Sequence, residues 1–298
     1  MKNKTNLLVT SGLFLVAMIW GSGFIATQIA IDAGLSSSFI MFVRFTMAAI
    51  VMGAVNVKNI KALKRKEVQG GIVVGIFMFL AFTLQTIGLQ FTTPSANAFI
   101  TATCVVMVPF FSWVVFKHRP ANKAFVGAMI CFAGVGVLAL SPGEGLVISK
   151  GDLITLAGAV AFALHTVSLG VFAKKIDSKL LTFLQIATAA VLSFAVFMVV
   201  DRDFSAFTSM KGLLAVLYLS VFSTCVAYFI QTTCQKYAAP SKTAIIISTE
   251  SLFGTMFSIF MGFEPFTYYL VIGGLAILLS VLIIETNIFS FKKRRCIK

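Results

Sequence analysis

From Ala81 to Ile100 the chain reads AFTLQTIGLQFTTPSANAFI. A second stretch, Ala227 to Ile246, reads AYFIQTTCQKYAAPSKTAII and aligns with the first without a gap, 146 residues later. Seven positions are identical: Ala81/Ala227, Gln85/Gln231, Thr86/Thr232, Pro94/Pro240, Ser95/Ser241, Ala98/Ala244 and Ile100/Ile246. Turn chemistry alone could place the Pro-Ser pair twice, but not the glutamines nine residues earlier. The match therefore predicts an internal repeat.

The composition places the repeat in a membrane. Of the 298 residues, 59% are hydrophobic and only 11% are charged, against about 25% charged in soluble domains. Ten apolar runs approach the length of about 20 residues that a helix needs to cross a bilayer. Their limits are 7–31, 38–57, 69–91, 94–116, 124–141, 153–173, 180–200, 212–235, 243–263 and 266–285. Because no run alternates with the two-residue period of a barrel strand, we predict an all-α membrane protein with ten transmembrane helices.

The positive charge follows the loops between these runs. With the N-terminus in the cytoplasm, 20 of the 24 Lys and Arg residues fall in inner segments. The outer loops hold only three, Lys150, Arg202 and Lys211, together with six of the ten acids. By the positive-inside rule both termini are cytoplasmic, and we expect the bacterial cytoplasmic membrane as the location. The basic clusters are thus topology signals, and no nucleic-acid partner is expected.

Five runs precede the middle of the chain and five follow it. Since five is odd, the second half begins on the opposite side of the membrane and is inverted. We predict one five-helix repeat over residues 1–146, an inverted five-helix repeat over 147–288, and a basic cytoplasmic tail over 289–298. Such a layout is typical of secondary transporters, whose halves move about a site near the bilayer midplane.

Several motifs carry a resemblance to a known family. WGSGF at 20–24, Arg44–Phe45, PSANA at 94–98, Pro109 and a Glu in the ninth run resemble the EamA-type branch of the drug/metabolite transporter superfamily, over about residues 10–288. The resemblance implies a basket of ten helices around a central cavity, lined by spans one to four and six to nine. It also implies transport of small organic solutes, often amino acids and frequently outward.

The chain departs from the family pattern at two points. The Glu-Pro common in the ninth span is Glu250–Ser251 here, and the fourth span ends in FKHRP where a Gly-Glu would be usual. The first departure removes the proline that would kink the ninth helix.

Arg44 and Glu250 are the only charged residues well inside the runs. A charge at the bilayer centre costs about 2.5–3.5 kcal/mol on insertion scales, so each needs a partner or water. Three interpretations stay open: an Arg44–Glu250 ion pair, a snorkelling Arg44 with Glu250 in a wet cavity, or direct binding of substrate or a coupling proton by either residue.

Uncharged polar and aromatic residues complete the candidate site. Each glutamine and histidine either makes an interhelical hydrogen bond or contacts substrate: Gln28, Gln85, His165, Gln185 and Gln231. Trp20 and Tyr228 either pack or stack on a planar substrate. Close helix approach or gating is expected at Gly21 and Gly23, and Pro94 and Pro240, suited to the first turn of a helix, are further gating candidates.

These observations favour a secondary active transporter over an enzyme. The chain has no GxxxxGK[ST] phosphate loop and no HExxH pair, and Glu250 is the only acid near the midplane. We expect an exporter of a small organic metabolite such as an amino acid, working by alternating access, with no metal and no cofactor beyond a coupling proton. The alternative is a flippase of a lipid-linked or amphipathic solute. The expected partners are the substrate and the lipid bilayer; a monomer suffices, and the sequence does not set the oligomeric state.

Overall fold

The computed structural model describes residues 2–60, 63–92, 94–138, 149–202, 209–262 and 266–285, and these are helices joined by turns. The helices are α1 Lys2–Asp32, α2 Ser37–Ile60, α3 Arg65–Leu89, α4 Pro94–Ala102, α5 Cys104–Phe116, α6 Asn122–Leu138, α7 Lys150–Phe172, α8 Ser178–Val200, α9 Met210–Tyr218, α10 Ala227–Cys234, α11 Pro240–Ile247, α12 Glu250–Phe260 and α13 Tyr268–Glu285. A π-helical segment, Leu219–Val226, joins α9 to α10.

Within the described ranges, eight helical segments are long and apolar enough to cross a membrane. They coincide with predicted spans one to four and six to nine, and two shorter apolar helices, Asn122–Val137 and Val271–Ile284, lie at spans five and ten. Large apolar side chains such as Val114, Val199 and Phe260 are exposed, as expected of a lipid-facing surface. The predicted all-helical integral membrane protein is therefore confirmed, whereas its ten spans and inversion stay predictions.

Two predicted spans are not continuous helices. The fourth, expected over 94–116, is interrupted at Thr103, whose hydroxyl donates to the carbonyl oxygen of Ile100 at 2.6 Å. The ninth, expected over 243–263, is interrupted at Ser248–Thr249. There the Thr249 hydroxyl donates to Ile246 O at 2.7 Å. Hydroxyls that bond back to a helix carbonyl bend the chain, so the ninth span breaks without the family's proline.

The helices pack in pairs around a central space. α1 packs on α12, α5 on α7, and α2 on α8, while α3 lies against both α7 and α8. α6 runs along α13 at the side of the bundle. The predicted boundary at 146/147 and the predicted tail at 289–298 lie outside the described residues.

Candidate functional site

A cavity lies between the packed pairs and encloses, with its open mouth, about 740 Å³ free of protein atoms. Its wall comes from α1 to α5, α7, the π segment and α10 to α12. Of the residues that the sequence singles out, the cavity brings eight together: Trp20, Gly23, Arg44, Gln85, His165, Tyr228, Gln231 and Glu250. None of its lining residues belongs to α6 or α13, although only part of the chain is described.

Arg44 is held inside the bundle by the π segment. Its Nε donates to Thr224 Oγ1 at 2.7 Å and its Nη2 to Ser223 Oγ at 3.1 Å. The guanidinium also lies 4.2 Å from the ring centroid of Phe82, close enough for a cation–π contact. With only 3% of its surface exposed, Arg44 is anchored by neutral groups and does not snorkel out of the bundle.

The π segment explains how both hydroxyls reach Arg44. Thr224 Oγ1 donates to Leu219 O, five residues earlier, at 2.8 Å, which follows the wider hydrogen-bond period of a π-helix. The carbonyl oxygen of Ser223 accepts from Trp20 Nε1 at 2.8 Å. The segment thus ties α1 and α2 to one wall of the cavity, and such segments are frequent at functional sites.

Glu250 stands at the first position of α12, directly after the break at Ser248–Thr249. In the part of the chain that the structure describes, its carboxylate forms neither an ion pair with Arg44 nor any hydrogen bond. A carboxylate at a helix N-terminus is favoured by the helix dipole, which offsets part of the cost of an unpaired charge. Glu250 is partly buried and lines the cavity, so its carboxylate is available to a cationic group or a proton.

Aromatic rings form another part of the wall, around the fully buried Tyr228. Its ring centroid lies 5.0 Å from that of Trp20, 5.5 Å from that of His165 and 5.9 Å from that of Phe82. The hydroxyl of Tyr228 has no hydrogen-bond partner among the described residues. Since an unpaired buried polar group costs about 1–3 kcal/mol, this hydroxyl is suited to a solute or water.

His165 is fixed by a chain of hydrogen bonds that leads away from the cavity. Its Nε2 lies 2.9 Å from Gln185 Oε1, and Gln185 Nε2 donates to Thr232 Oγ1 at 3.1 Å. With the amide oriented in this way, Nε2 of His165 is the protonated nitrogen. Gln185 is fully buried and does not line the cavity, so it orients His165 from behind.

The repeated glutamines differ in their partners. Gln85 Nε2 donates to Thr101 Oγ1 at 3.0 Å. The position 146 residues after Thr101 is Ile247, which offers no acceptor, and Gln231 Oε1 is buried without a hydrogen-bond partner in the described chain. Gln85 is therefore held by a hydrogen bond within the protein, whereas Gln231 presents an unpaired acceptor oxygen next to the cavity.

The remaining predicted residues lie outside the cavity wall. Gln28 donates to Asp32 Oδ1 at 2.7 Å at the exposed end of α1. At Gly21, α1 meets α12: a Cβ there would be 2.8 Å from Glu250 O. Pro240 opens α11 and packs on Gly170. Pro94 opens α4, and its side chain lies outside the described set.

Ser223, Thr224 and Thr101 are functional neighbours that the sequence reasoning missed. The available signal was the run Ser220–Thr224, which places three hydroxyl residues within five positions of an apolar span. Cys104, the residue 146 before Glu250, also lines the cavity. Within the described ranges, no cluster of three or more His, Cys, Asp or Glu could hold a metal ion.

Comparison with known protein sequences identifies a family and two relatives. The model of the EamA-like transporter family matches residues 8–140 and again residues 149–286. An uncharacterized transporter of Archaeoglobus fulgidus is 32% identical over 93% of this chain and 85% of its own length. The uncharacterized transporter YvbV of Bacillus subtilis is 26% identical over 96% of this chain and 93% of its own.

A solved crystal structure shares the fold. It superposes with a TM-score of 0.77 over 93% of this chain and 96% of that chain, at 18% identity. At this identity the likeness concerns the fold alone.

Proposed function

Because the chain belongs to the EamA-like transporter family, we propose that it exports a small organic metabolite, such as an amino acid, by alternating access. Membership makes the protein a membrane transporter and not an enzyme. What we propose beyond family membership is the substrate class, the direction of transport and the alternating-access mechanism. The observation that carries it is the central cavity, whose wall combines Arg44 and Glu250 without joining them in an ion pair.

Two inverted five-helix halves supply the mechanism, and several observations support them. The family model matches once in each half of the chain. The two broken helices begin at Pro94 and Pro240 and break at Thr103 and Thr249, each pair 146 residues apart. The packing of α1 on α12 is mirrored by that of α7 on α5. With α6 and α13 as the fifth and tenth spans, the halves are antiparallel and both termini lie in the cytoplasm of a bacterial cell.

The cavity wall draws on both halves. Arg44 and Gln85 come from the first, whereas His165, Gln231 and Glu250 come from the second. A movement of one half against the other therefore changes every distance across the site. This geometry is suited to a site that opens alternately to the two sides of the membrane.

The polar groups of the wall suit a solute that carries both an amine and an acid. Glu250 offers an unpaired carboxylate to an ammonium group. The guanidinium of Arg44 uses Nε and Nη2 for Thr224 and Ser223, which leaves Nη1 for a carboxylate. The rings of Trp20 and Tyr228 provide an apolar surface for the side chain of the solute. An amino acid meets all three requirements.

Proton coupling is assigned to Glu250. A transporter driven by the proton gradient needs a group that alternately binds a proton and the substrate. Glu250 forms no ion pair within the described residues and lines the cavity. Substrate ammonium and proton would then compete for one carboxylate, which couples outward solute movement to inward proton movement.

The proposal is tested with purified protein in liposomes. Uptake of one transported solute is measured against a competition panel of amino acids, amines and organic acids, and scrambling of a fluorescent lipid is measured in parallel. We expect saturable solute flux, inhibition by amino acids and no scrambling. Lipid scrambling without solute flux would instead identify the flippase alternative. The absence of both solute flux and lipid scrambling would contradict the proposal.

A matched pair of variants on α5 ties the flux to the cavity. Cys104→Phe adds a ring to the cavity wall, whereas Val114→Phe adds the same ring at a position that is 76% exposed. The first should abolish flux and the second should preserve it, with thermal unfolding showing that both variants fold. Full flux through folded Cys104→Phe would exclude the cavity as the transport path.

A further inference from the structure

A second cavity lies at the end of the bundle where α2 begins and α3 and α8 end. It encloses about 830 Å³ with its mouth and is separate from the central cavity. Residues at 79, 83, 87 and 90 of the α3 region line it, whereas Phe82 and Gln85, on the opposite face of α3, line the central one. The α8 wall consists of Ser193, Val196, Val200 and Asp201. Neither the transport proposal nor the repeat makes use of this space.

Two hydroxyls in this cavity have no hydrogen-bond partner in the described chain, those of Ser193 and Thr83. Hydroxyl residues in helices usually bond back to the carbonyl oxygen one turn earlier. In this chain Thr182 and Thr188 of α8 do so at 2.7 and 2.8 Å. Ser193 does not form such a bond to the preceding turn, although the residue is only 1% exposed. Its unpaired hydroxyl therefore indicates a ligand or ordered water in the cavity.

Among the described residues that line the cavity, the one ionisable group is the carboxylate of Asp201. Its Oδ2 accepts from the hydroxyls of Ser36 and of Ser38, the latter at 2.7 Å. Within the described residues, Oδ1 has no donor and no Lys or Arg is paired with the carboxylate. A negative charge with a free acceptor oxygen attracts a cation rather than an anion.

We propose that this cavity is a binding site for an elongated organic amine. The ammonium group donates to Asp201 Oδ1, and the apolar middle of the ligand lies along Met41, Phe79 and Val196. A hydroxyl or carbonyl at the far end bonds to Ser193 and Thr83. Each part of the ligand thus meets a group whose chemistry it complements.

The spacing of the two polar ends sets the length of the ligand. Asp201 follows Ser193 by eight residues, which corresponds to about 12 Å along a helix. A chain of eight carbon atoms with an amine at one end and a hydroxyl at the other spans such a gap. The ligand is therefore a medium-length amphiphile rather than a small ion.

A bound amine also contacts helices of both predicted halves, since α2 and α3 precede residue 146 and α8 follows it. Holding α3 to α8 should lower the transport rate without displacing the transported solute. This consequence rests on the proposed function. The binding itself does not, because it is measured without any flux.

The probe is 8-amino-1-octanol, added to the full-length protein in phosphatidylcholine nanodiscs and followed by isothermal titration calorimetry. Two ligands of equal length serve as controls: 1,8-octanediol, which lacks the cation, and 8-hydroxyoctanoate, which carries the opposite charge. We expect saturable binding of the amine, at least about tenfold weaker binding of the diol, and none of the acid. Equal affinities for amine and diol, or no binding of the amine, would overturn the proposal.

Protein variants locate the bound amine. Asp201→Asn should lower the affinity about tenfold or more, whereas Asp32→Asn, which removes the same charge from the exposed end of α1, should not. Ser193→Ala should weaken binding of the amino-alcohol but not that of octylamine, which lacks the hydroxyl. The same binding by wild type and Asp201→Asn would refute the assignment even if the ligand series is as expected.

A lipid amine could supply the same chemistry as a soluble amine. Titrations are therefore repeated in nanodiscs that contain phosphatidylethanolamine. Competition by this lipid would identify a membrane amine as the natural ligand, and unchanged affinity would identify a soluble one. Either result supports an amine site.

Discussion

Thr103 and Thr249, 146 residues apart, interrupt two membrane helices in the same way: each hydroxyl donates to the carbonyl oxygen three residues earlier, at 2.6 and 2.7 Å. The next residue begins the second half-helix in each case, Cys104 in α5 and Glu250 in α12. Both of these residues line the central cavity. The same type of helix interruption thus places the N-termini of α5 and α12 at one site. Only α12 begins with a charged residue, Glu250.

The two repeated glutamines should respond differently to replacement by leucine. Gln85→Leu removes the bond to Thr101 and should lower the free energy of unfolding by about 0.6 kcal/mol. Gln231→Leu should leave stability unchanged or raise it, because its Oε1 has no partner among the described residues. It should instead raise the KM for the solute. Denaturant unfolding gives the free energy of unfolding, and uptake kinetics give the KM. Equal destabilisation by the two variants would argue against a structural role for Gln85 and a solute-binding role for Gln231.

Gly21→Ala should force α1 away from α12. The added Cβ would lie 2.7 Å from Gly254 N and 2.8 Å from Glu250 O, and backbone atoms cannot move aside separately. Overpacking of this kind costs about 1–3 kcal/mol, so we expect a lower unfolding temperature and slower transport. Gly136→Ala is the control, since its Cβ would meet Phe99 at an ordinary 3.4 Å. A fully stable and active Gly21→Ala protein would show that the crossing is not tight.

Arg44→Lys should destabilise the protein although it keeps the charge. Lysine has no guanidinium fork, so the bonds to Thr224 and Ser223 cannot both be reproduced. Loss of one charged hydrogen bond costs about 1.5–3 kcal/mol. The exposed Arg65→Lys change provides the control for unfolding measurements. An unchanged unfolding free energy for Arg44→Lys would mean that the two hydroxyls do not anchor the side chain.

Labelling of Cys296 tests the orientation of the chain. An impermeant maleimide should label Cys296 in inside-out vesicles and not in intact cells, because the basic tail is predicted to be cytoplasmic. Cys131, Cys225 and Cys234 are buried, and Cys296→Ser measures the background, including any reaction of Cys104. If intact cells are labelled and the Cys296→Ser variant loses this labelling, the C-terminus lies outside the cell and the proposed topology is reversed.

The sequence was sufficient to predict where the membrane helices lie, but not where two of them are interrupted. Runs of apolar residues define where a chain can cross a bilayer, and the predicted spans one to four and six to nine were found. The interruptions at Thr103 and Ser248–Thr249 were not foreseen, since a hydroxyl in a helix bends the chain only in some contexts. The absent proline after Glu250 pointed away from a break that the structure nevertheless contains.

The depth of a polar residue was predictable, whereas the face on which it lies was not. Spans that are apolar all round carry little amphipathic signal, so Gln28 and Gln85 looked equivalent. The structure places Gln85 at the cavity and Gln28 beside Asp32 at the end of α1. The anchoring of Arg44 depends on the π segment, whose extra residue per turn leaves no clear mark in the sequence.

Replacement of Glu250 by glutamine separates proton coupling from solute movement through the central cavity. Uptake driven by a pH gradient and solute exchange without a gradient are measured in liposomes for wild type, Glu250→Gln and the control Glu67→Gln, whose residue caps the start of α3. We expect that Glu250→Gln loses gradient-driven uptake and keeps exchange, while Glu67→Gln behaves as wild type. Gradient-driven uptake by Glu250→Gln at the wild-type rate would contradict proton coupling through Glu250.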